Sequence, residues 1–219
     1  MRLSIFTAIL LCFSSAVIAA ETKTTKTTAP VPASFPAEDI WQLDIELHGK
    51  PTQLQAILPG DQEPTRFWYM VYTLTNNNPI DVDYYPTMEV MTDTFKLYEA
   101  GKVPTKPVYQ EVERLYRESV PLLEPEIIVA GKILQGEDNA RDCVAILDDF
   151  DPNATSIKVF ISGLSNETAV VEKIDKNNEK NIKKVLLRKT LMLEYRIPGD
   201  QFNQDKKVML FSRREWIMR

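Results

Sequence analysis

From Ile40 the chain alternates apolar and polar positions. Trp41, Leu43, Ile45 and Leu47 fall on one side, and Gln42, Asp44, Glu46 and His48 on the other. A period of two places successive side chains on opposite faces of an extended strand, so this segment predicts a strand with one buried and one wet face. His48-Gly49-Lys50-Pro51 predicts the turn that ends it, and Leu54 to Leu58 a second strand before Pro59-Gly60. Phe67 to Leu74 is aromatic and β-branched throughout, the pattern of a strand buried on both faces, and Asn76-Asn77-Asn78-Pro79 predicts the turn after it. One long strand is expected from Met88 to Tyr98, closed by Glu99-Ala100-Gly101-Lys102.

The period changes once. Over Val108 to Ser119, Val108, Val112, Leu115 and Tyr116 share a helical face opposite Glu111, Glu113, Arg114 and Arg117, and Pro121 stops the helix. Strands are expected again near Glu126 to Leu134, Cys143 to Leu147, Ser156 to Ser162, Ala169 to Ile174 and Val185 to Ile197. Lys207 to Phe211 and Trp216 to Met218 form the closing edge, and Trp41 and Trp216 are expected to pack near one end. Many short strands, Asn/Pro/Gly turns and one helix predict an all-β fold, an immunoglobulin-like two-sheet β-sandwich with one inserted short helix.

The residues before this region follow other rules. Arg2, an apolar run from Ile5 to Phe13 and small residues from Ser14 to Ala20 have the layout of a signal peptide over residues 1–20, with cleavage after Ala19 or Ala20. An uncleaved anchor competes poorly, because the apolar run is shorter than the ~20 residues a spanning helix needs. Residues 21–38 are a Thr/Pro/Lys stretch with too little apolar surface to fold, expected to be a disordered spacer, and residues 39–219 a single β-sandwich domain. The expected location is therefore outside the cytoplasm: periplasmic, cell-surface or secreted.

Charge and sulfur narrow the function. Leader removal takes away Arg2 and no acid, so 26 Lys and Arg become 25 against 31 Asp and Glu, a net charge of −6. An acidic chain lacks the clustered positive charge nucleic acid demands. Cys12 leaves with the leader, so Cys143 has no intramolecular disulfide partner, and stability must come from a hydrophobic core.

Several stretches act together as a family label: Phe67-Trp68-Tyr69-Met70-Val71-Tyr72-Thr73-Leu74-Thr75-Asn76, Leu134-Gln135-Gly136-Glu137-Asp138-Asn139-Ala140, Phe150-Asp151-Pro152-Asn153-Ala154-Thr155, Ser162-Gly163-Leu164-Ser165-Asn166-Glu167-Thr168, Leu187-Arg188-Lys189-Thr190-Leu191 and Tyr195-Arg196-Ile197-Pro198-Gly199. Across most of the chain beyond Trp41 these resemble a group of exported proteins typical of planctomycete-type bacteria. The resemblance implies export and a β-sandwich, and it carries no activity or functional residues with it.

Candidate chemistry is sparse. His48 is the one histidine and is expected on a wet face at a strand end, away from any nucleophile. Asp149, Asp151 and Asn153 alternate like the first ligands of a calcium loop, but Ala154 stands where glycine is required and Phe160 where the closing glutamate is, so the segment reads as a turn. Glu111, Glu113, Asp142 and Glu194 are acids without a pairing that sequence can place. Lys173, Lys176, Lys180, Lys183, Lys184, Arg188 and Lys189 make a basic hairpin, which could meet an anionic lipid or wall polymer but reads first as a solvated loop. Asn153 and Asn166 begin glycosylation-like triplets that read as bare turns; Tyr84-Tyr85 reads as a loop staple, with a docking patch as the alternative; Cys143 reads as a small buried hydrophobe. No catalytic, metal-binding or cofactor-binding residue is assigned, and no cofactor is expected. The expected function is a non-catalytic exported envelope protein that binds or assembles with a protein partner, through the basic hairpin or through the helix and its Pro-rich flanks from Val103 to Pro125. The alternative is a carbohydrate-binding protein or carboxylate-dependent hydrolase of the envelope.

Overall fold

The computed structural model describes residues 33–34, 40–101, 106–175, 178–198 and 209–219. The leader, most of the spacer and the 199–208 segment lie outside them, and residues 31–219 fall in one compact unit. In chain order the elements are β1 (Ala33–Ser34), β2 (Asp44–Leu47), β3 (Thr52–Ala56), β4 (Thr65–Thr75), β5 (Val82–Tyr84), β6 (Thr87–Thr92), β7 (Leu97–Glu99), α1 (Lys106–Tyr116), β8 (Glu124–Pro125), α2 (Glu126–Val129), β9 (Gly131–Ile133), β10 (Arg141–Asp148), β11 (Ser156–Ser162), β12 (Thr168–Asp175), β13 (Asn178–Arg196) and β14 (Leu210–Met218).

The fold is an all-β sandwich with one short helix packed on its outside. One sheet runs β1-β12-β13-β11-β6-β7 with β14 on β13, the other runs β2-β4-β10-β8 with β3 on β4, and β5 pairs β9 separately. Alternation along β4 explains how it is buried twice. Trp68, Met70, Tyr72 and Leu74 point into the core between the sheets with Leu43, Ile45, Cys143, Ala145 and Leu147, against Met88, Val90, Ile157, Val159, Ile161, Leu191 and Leu193 of the opposing sheet. Phe67, Tyr69 and Val71 point outward with Val144 and Ile146, into a second cluster closed by Val108 and Val112 of α1.

Register shows two pairs of strands to be single strands interrupted by bulges. β2 and β3 both pair β4 antiparallel, and β10 occupies the other edge of β4 over the same residues. The chain at His48–Pro51 therefore kinks and continues along one edge, where the sequence predicted a turn ending the strand. Likewise Arg188 pairs Thr168 on one side and Arg219 on the other, which puts β11 and β12 on a common flank of β13.

Four expectations change. The Met88–Tyr98 strand is a hairpin, β6 and β7, reversed at Asp93–Lys96 with Phe95 in the left-handed region at φ 62°. Leu115 is 51 % exposed and off the buried face of α1, which is carried by Val108 and Val112, because the helix ends one residue later at Tyr116. The Glu126–Leu134 strand is instead the one-turn α2 followed by β9. Two residues of the expected spacer, Ala33 and Ser34, pair Val170 and Ala169 as β1. The tryptophans do gather: the Trp41 N–H donates to Asn166 Oδ1 (2.8 Å), Glu167 beside it pairs with Lys189 (2.6 Å), and the Lys189 ammonium lies 5.5 Å above the Trp216 ring.

Candidate functional site

A buried polar cluster lies where β8 meets β10. Glu124 and Pro125 pair in parallel with Cys143 and Val144, and the chain then makes the single turn of α2. That turn sends the Glu126 side chain inward, where the Tyr72 hydroxyl donates to Oε1 at 2.5 Å and the Tyr72 and Tyr84 hydroxyls meet at 3.2 Å. Both tyrosines are fully buried, and Glu126 as a residue is half-buried, with its carboxyl held against the Tyr72 hydroxyl. Burial is the first cause of the raised Glu126 pKa and outweighs the two hydroxyl donors. Burial, then the nearby Glu126 charge, raises both tyrosines well above their ordinary value. The Cys143 thiol is pushed up by the same causes and is fully buried, as expected of a small hydrophobe.

Outside this cluster lies a cavity of about 260 Å³, whose lining includes Tyr85, Pro86, Pro125, Glu126, Ile127 and Ile146. Val129 anchors α2 in the core, whereas Ile127 and Ile128 are 72 % and 62 % exposed and Tyr85 is 69 % exposed; of these three, Ile127 and Tyr85 line the cavity. The Tyr84-Tyr85 pair thus divides, one ring in the core and one at the surface. The Tyr85–Pro86 backbone is pressed against Gly163, which sits at φ +88°, and a Cβ on Gly163 would lie 2.4 Å from the Tyr85 carbonyl oxygen.

The sequence-predicted candidates stand elsewhere. His48 is half-buried, and its Nε2 lies 2.6 Å from Thr73 Oγ1, which donates to Asp142 Oδ1 at 2.5 Å. The hydroxyl stands between imidazole and carboxylate, whereas nucleophilic catalysis needs the imidazole in the middle. In the 148–153 turn, Asp149 accepts from Arg66 (2.7 Å) and the Trp68 indole (2.9 Å). Asp151 accepts from Lys96 (2.9 Å), Thr94 (2.8 Å) and the Asn153 N–H (3.0 Å). The Lys96 contact, then the Asn153 N–H, holds the Asp151 carboxyl far below the usual carboxylate range. Both acids are engaged by the chain itself, and among the described residues no group of three or more His, Cys, Asp and Glu could hold a metal.

The four acids do not converge. Glu111 pairs with Arg114 on α1, Asp142 with Thr73 on the small sheet, and Glu194 with Arg213 on the large one; Glu113 lies on α1. A different pair lines one cleft: Glu99 and Asp148, together with Leu97 and Tyr98, where partial desolvation raises the Asp148 pKa although the residue is exposed. Asn153 is a turn residue whose N–H donates to the Asp151 carboxylate, and Asn166 Oδ1 accepts from the Trp41 N–H. The described part of the basic segment lies on the paired strands β12 and β13, with a register shift at Ile174/Asp175, where the sequence first read a loop; Lys176 lies outside the described residues.

No family model, curated protein or solved structure matches the chain.

Sequence reasoning missed Glu126. Its only signal was the run Glu124-Pro125-Glu126-Ile127-Ile128, in which an acid next to three apolar residues conflicts with the strand expected there.

Proposed function

We propose that this protein is a non-catalytic, exported binding module of the cell envelope, and that it holds a protein partner through the lip formed by α2 and Tyr85. One observation carries the reading: Ile127 and Tyr85 line a cavity and stand exposed, and Ile128 is exposed beside Ile127 on the same helical turn. Large apolar side chains grouped at a concavity are the composition of a docking site and are costly to leave in water. The cavity's 260 Å³ lies below the ~300–1,000 Å³ typical of small-molecule sites and suits one anchoring side chain of a partner.

The test compares the full chain with an Ile127→Ser/Ile128→Ser variant as bait in envelope extracts. The reading expects a partner retained by the first and lost by the second, with unfolding midpoints alike because both isoleucines are exposed. Equal retention by both baits would remove the lip from the account.

Carbohydrate binding or carboxylate-dependent hydrolysis has one observation in its favour, the Glu99–Asp148 cleft with Tyr98. Both acids are solvent-exposed, and the Tyr98 ring is packed edge-on against Phe150 at 6.3 Å, which leaves less aromatic face for a sugar. Glycan binding abolished by Asp148→Asn would favour this reading over the first.

A further inference from the structure

We propose that the arm formed by β12 and β13 docks on an anionic lipid surface. This surface is separate from the α2 lip, and the inference stands independently of it.

The arm is where the large sheet outruns its core. Leu191 and Leu193 are fully buried, whereas Val185, on the same face of β13, is 42 % exposed and Leu186, on the opposite face, is 56 % exposed. Neither face of the arm is covered there. Lys183, Lys184 and Arg188 are exposed among these apolar residues, on a chain whose net charge is −5. In the register Lys184 stands across from Glu172, 3.7 Å away, next to the Val171–Val185 pair, and Lys183 follows one position farther out. Cationic head groups beside exposed aliphatic side chains suit a surface that offers phosphates above hydrocarbon.

The exposed aliphatic side chains select lipid over other polyanions. A soluble acidic polymer would explain the lysines but not the exposed Val185 and Leu186.

The experiment is co-sedimentation of the full chain with phosphatidylcholine vesicles and with vesicles containing about one-third phosphatidylglycerol. The ratio of the two affinities is read and compared between wild type and variants, which share the same N-terminal segment. The wild type is expected to prefer the anionic vesicles, with the preference shrinking as salt is raised. Lys183→Gln/Lys184→Gln is expected to cut the preference about 25-fold, at roughly fivefold per lysine near an anionic surface. Val185→Ser/Leu186→Ser should weaken binding to both vesicles, and Lys132→Gln, away from the arm, should change neither. Near-ultraviolet circular dichroism confirms that each variant is folded. Equal affinity of the wild type for both vesicles, an unchanged preference in the double lysine variant, or binding to soluble polyphosphate without binding to vesicles would each overturn the proposal.

Discussion

Replacing Glu126 by glutamine separates the cost of its charge from the value of its shape. In the fold the carboxyl is buried against Tyr72 and Tyr84, and its pKa is raised above the ordinary 4.5. An acid whose folded pKa lies above its unfolded one favours the fold in its neutral form. Its contribution is therefore complete below about pH 4.5 and is lost as pH rises towards the folded pKa. The loss approaches about 1.4 kcal/mol per pH unit across that window. Glutamine keeps the oxygen that accepts from Tyr72 and cannot ionise. The two proteins should have similar unfolding free energies near pH 4. Above that, Glu126→Gln should gain on the wild type with rising pH, and the difference should level off once the wild-type carboxyl ionises in the fold. Urea unfolding from pH 4 to pH 8.5, plotted as a difference between the two proteins, removes the titration of every other group. A flat difference, or a variant that loses ground as pH rises, would refute the burial of this carboxyl beneath α2.

Val112 is fully buried beneath α1 and Leu115 is half-exposed, so Val112→Ala should cost about 1.5–3 kcal/mol in urea unfolding and Leu115→Ala under about 1 kcal/mol; the reverse order would mean that the helix presents another face. Gly163→Ala meets both a positive φ and the Tyr85 carbonyl, whereas Gly49→Ala meets only the φ at +112° with open space around it. The first should therefore lower stability by more than the ~1–2 kcal/mol expected of the second, and equal midpoints would remove the close approach. Asp149 and Asp151 are engaged by Arg66, Trp68, Lys96 and Thr94, so thermal melting should be the same in calcium and in chelator. A calcium-dependent rise in midpoint would show that the turn opens to take the ion. Asp149→Ala, by leaving the Arg66 and Trp68 donors without their acceptor, should cost about 1–3 kcal/mol.

The layered core was legible because alternation reports burial directly. Trp68, Met70 and Tyr72 fill one face of β4 and Phe67, Tyr69 and Val71 the other, and the sequence marks the strand as apolar on both. Boundaries were legible only where the chain reverses at a proline or an asparagine cluster. At Asp93–Lys96 the reversal uses Phe95 in the left-handed region, a residue that carries no turn signal, so two strands read as one. At His48–Pro51 the opposite happened, because glycine and proline there make a bulge and not a reversal. The α2 site could not be read from local pattern. Glu126 is aligned by the parallel pairing of β8 with β10, and Tyr72, its nearest donor, is 54 residues away in the chain. For His48 the contact that decides its role, Thr73 held by Asp142, is likewise a product of strand register.

The docking claim is tested most directly by placing a photo-crosslinking side chain at one exposed apolar position at a time in the living cell. Tyr85, Leu122 and Ile128 sample the α2 lip and its approach, and Phe95, Leu134 and Phe211 sample other exposed apolar residues. The account predicts one common adduct from Tyr85 and Ile128, with Leu122 weaker and nothing comparable from Phe95, Leu134 or Phe211. Adducts from Phe95 or Phe211 with none from Tyr85 and Ile128 would contradict it.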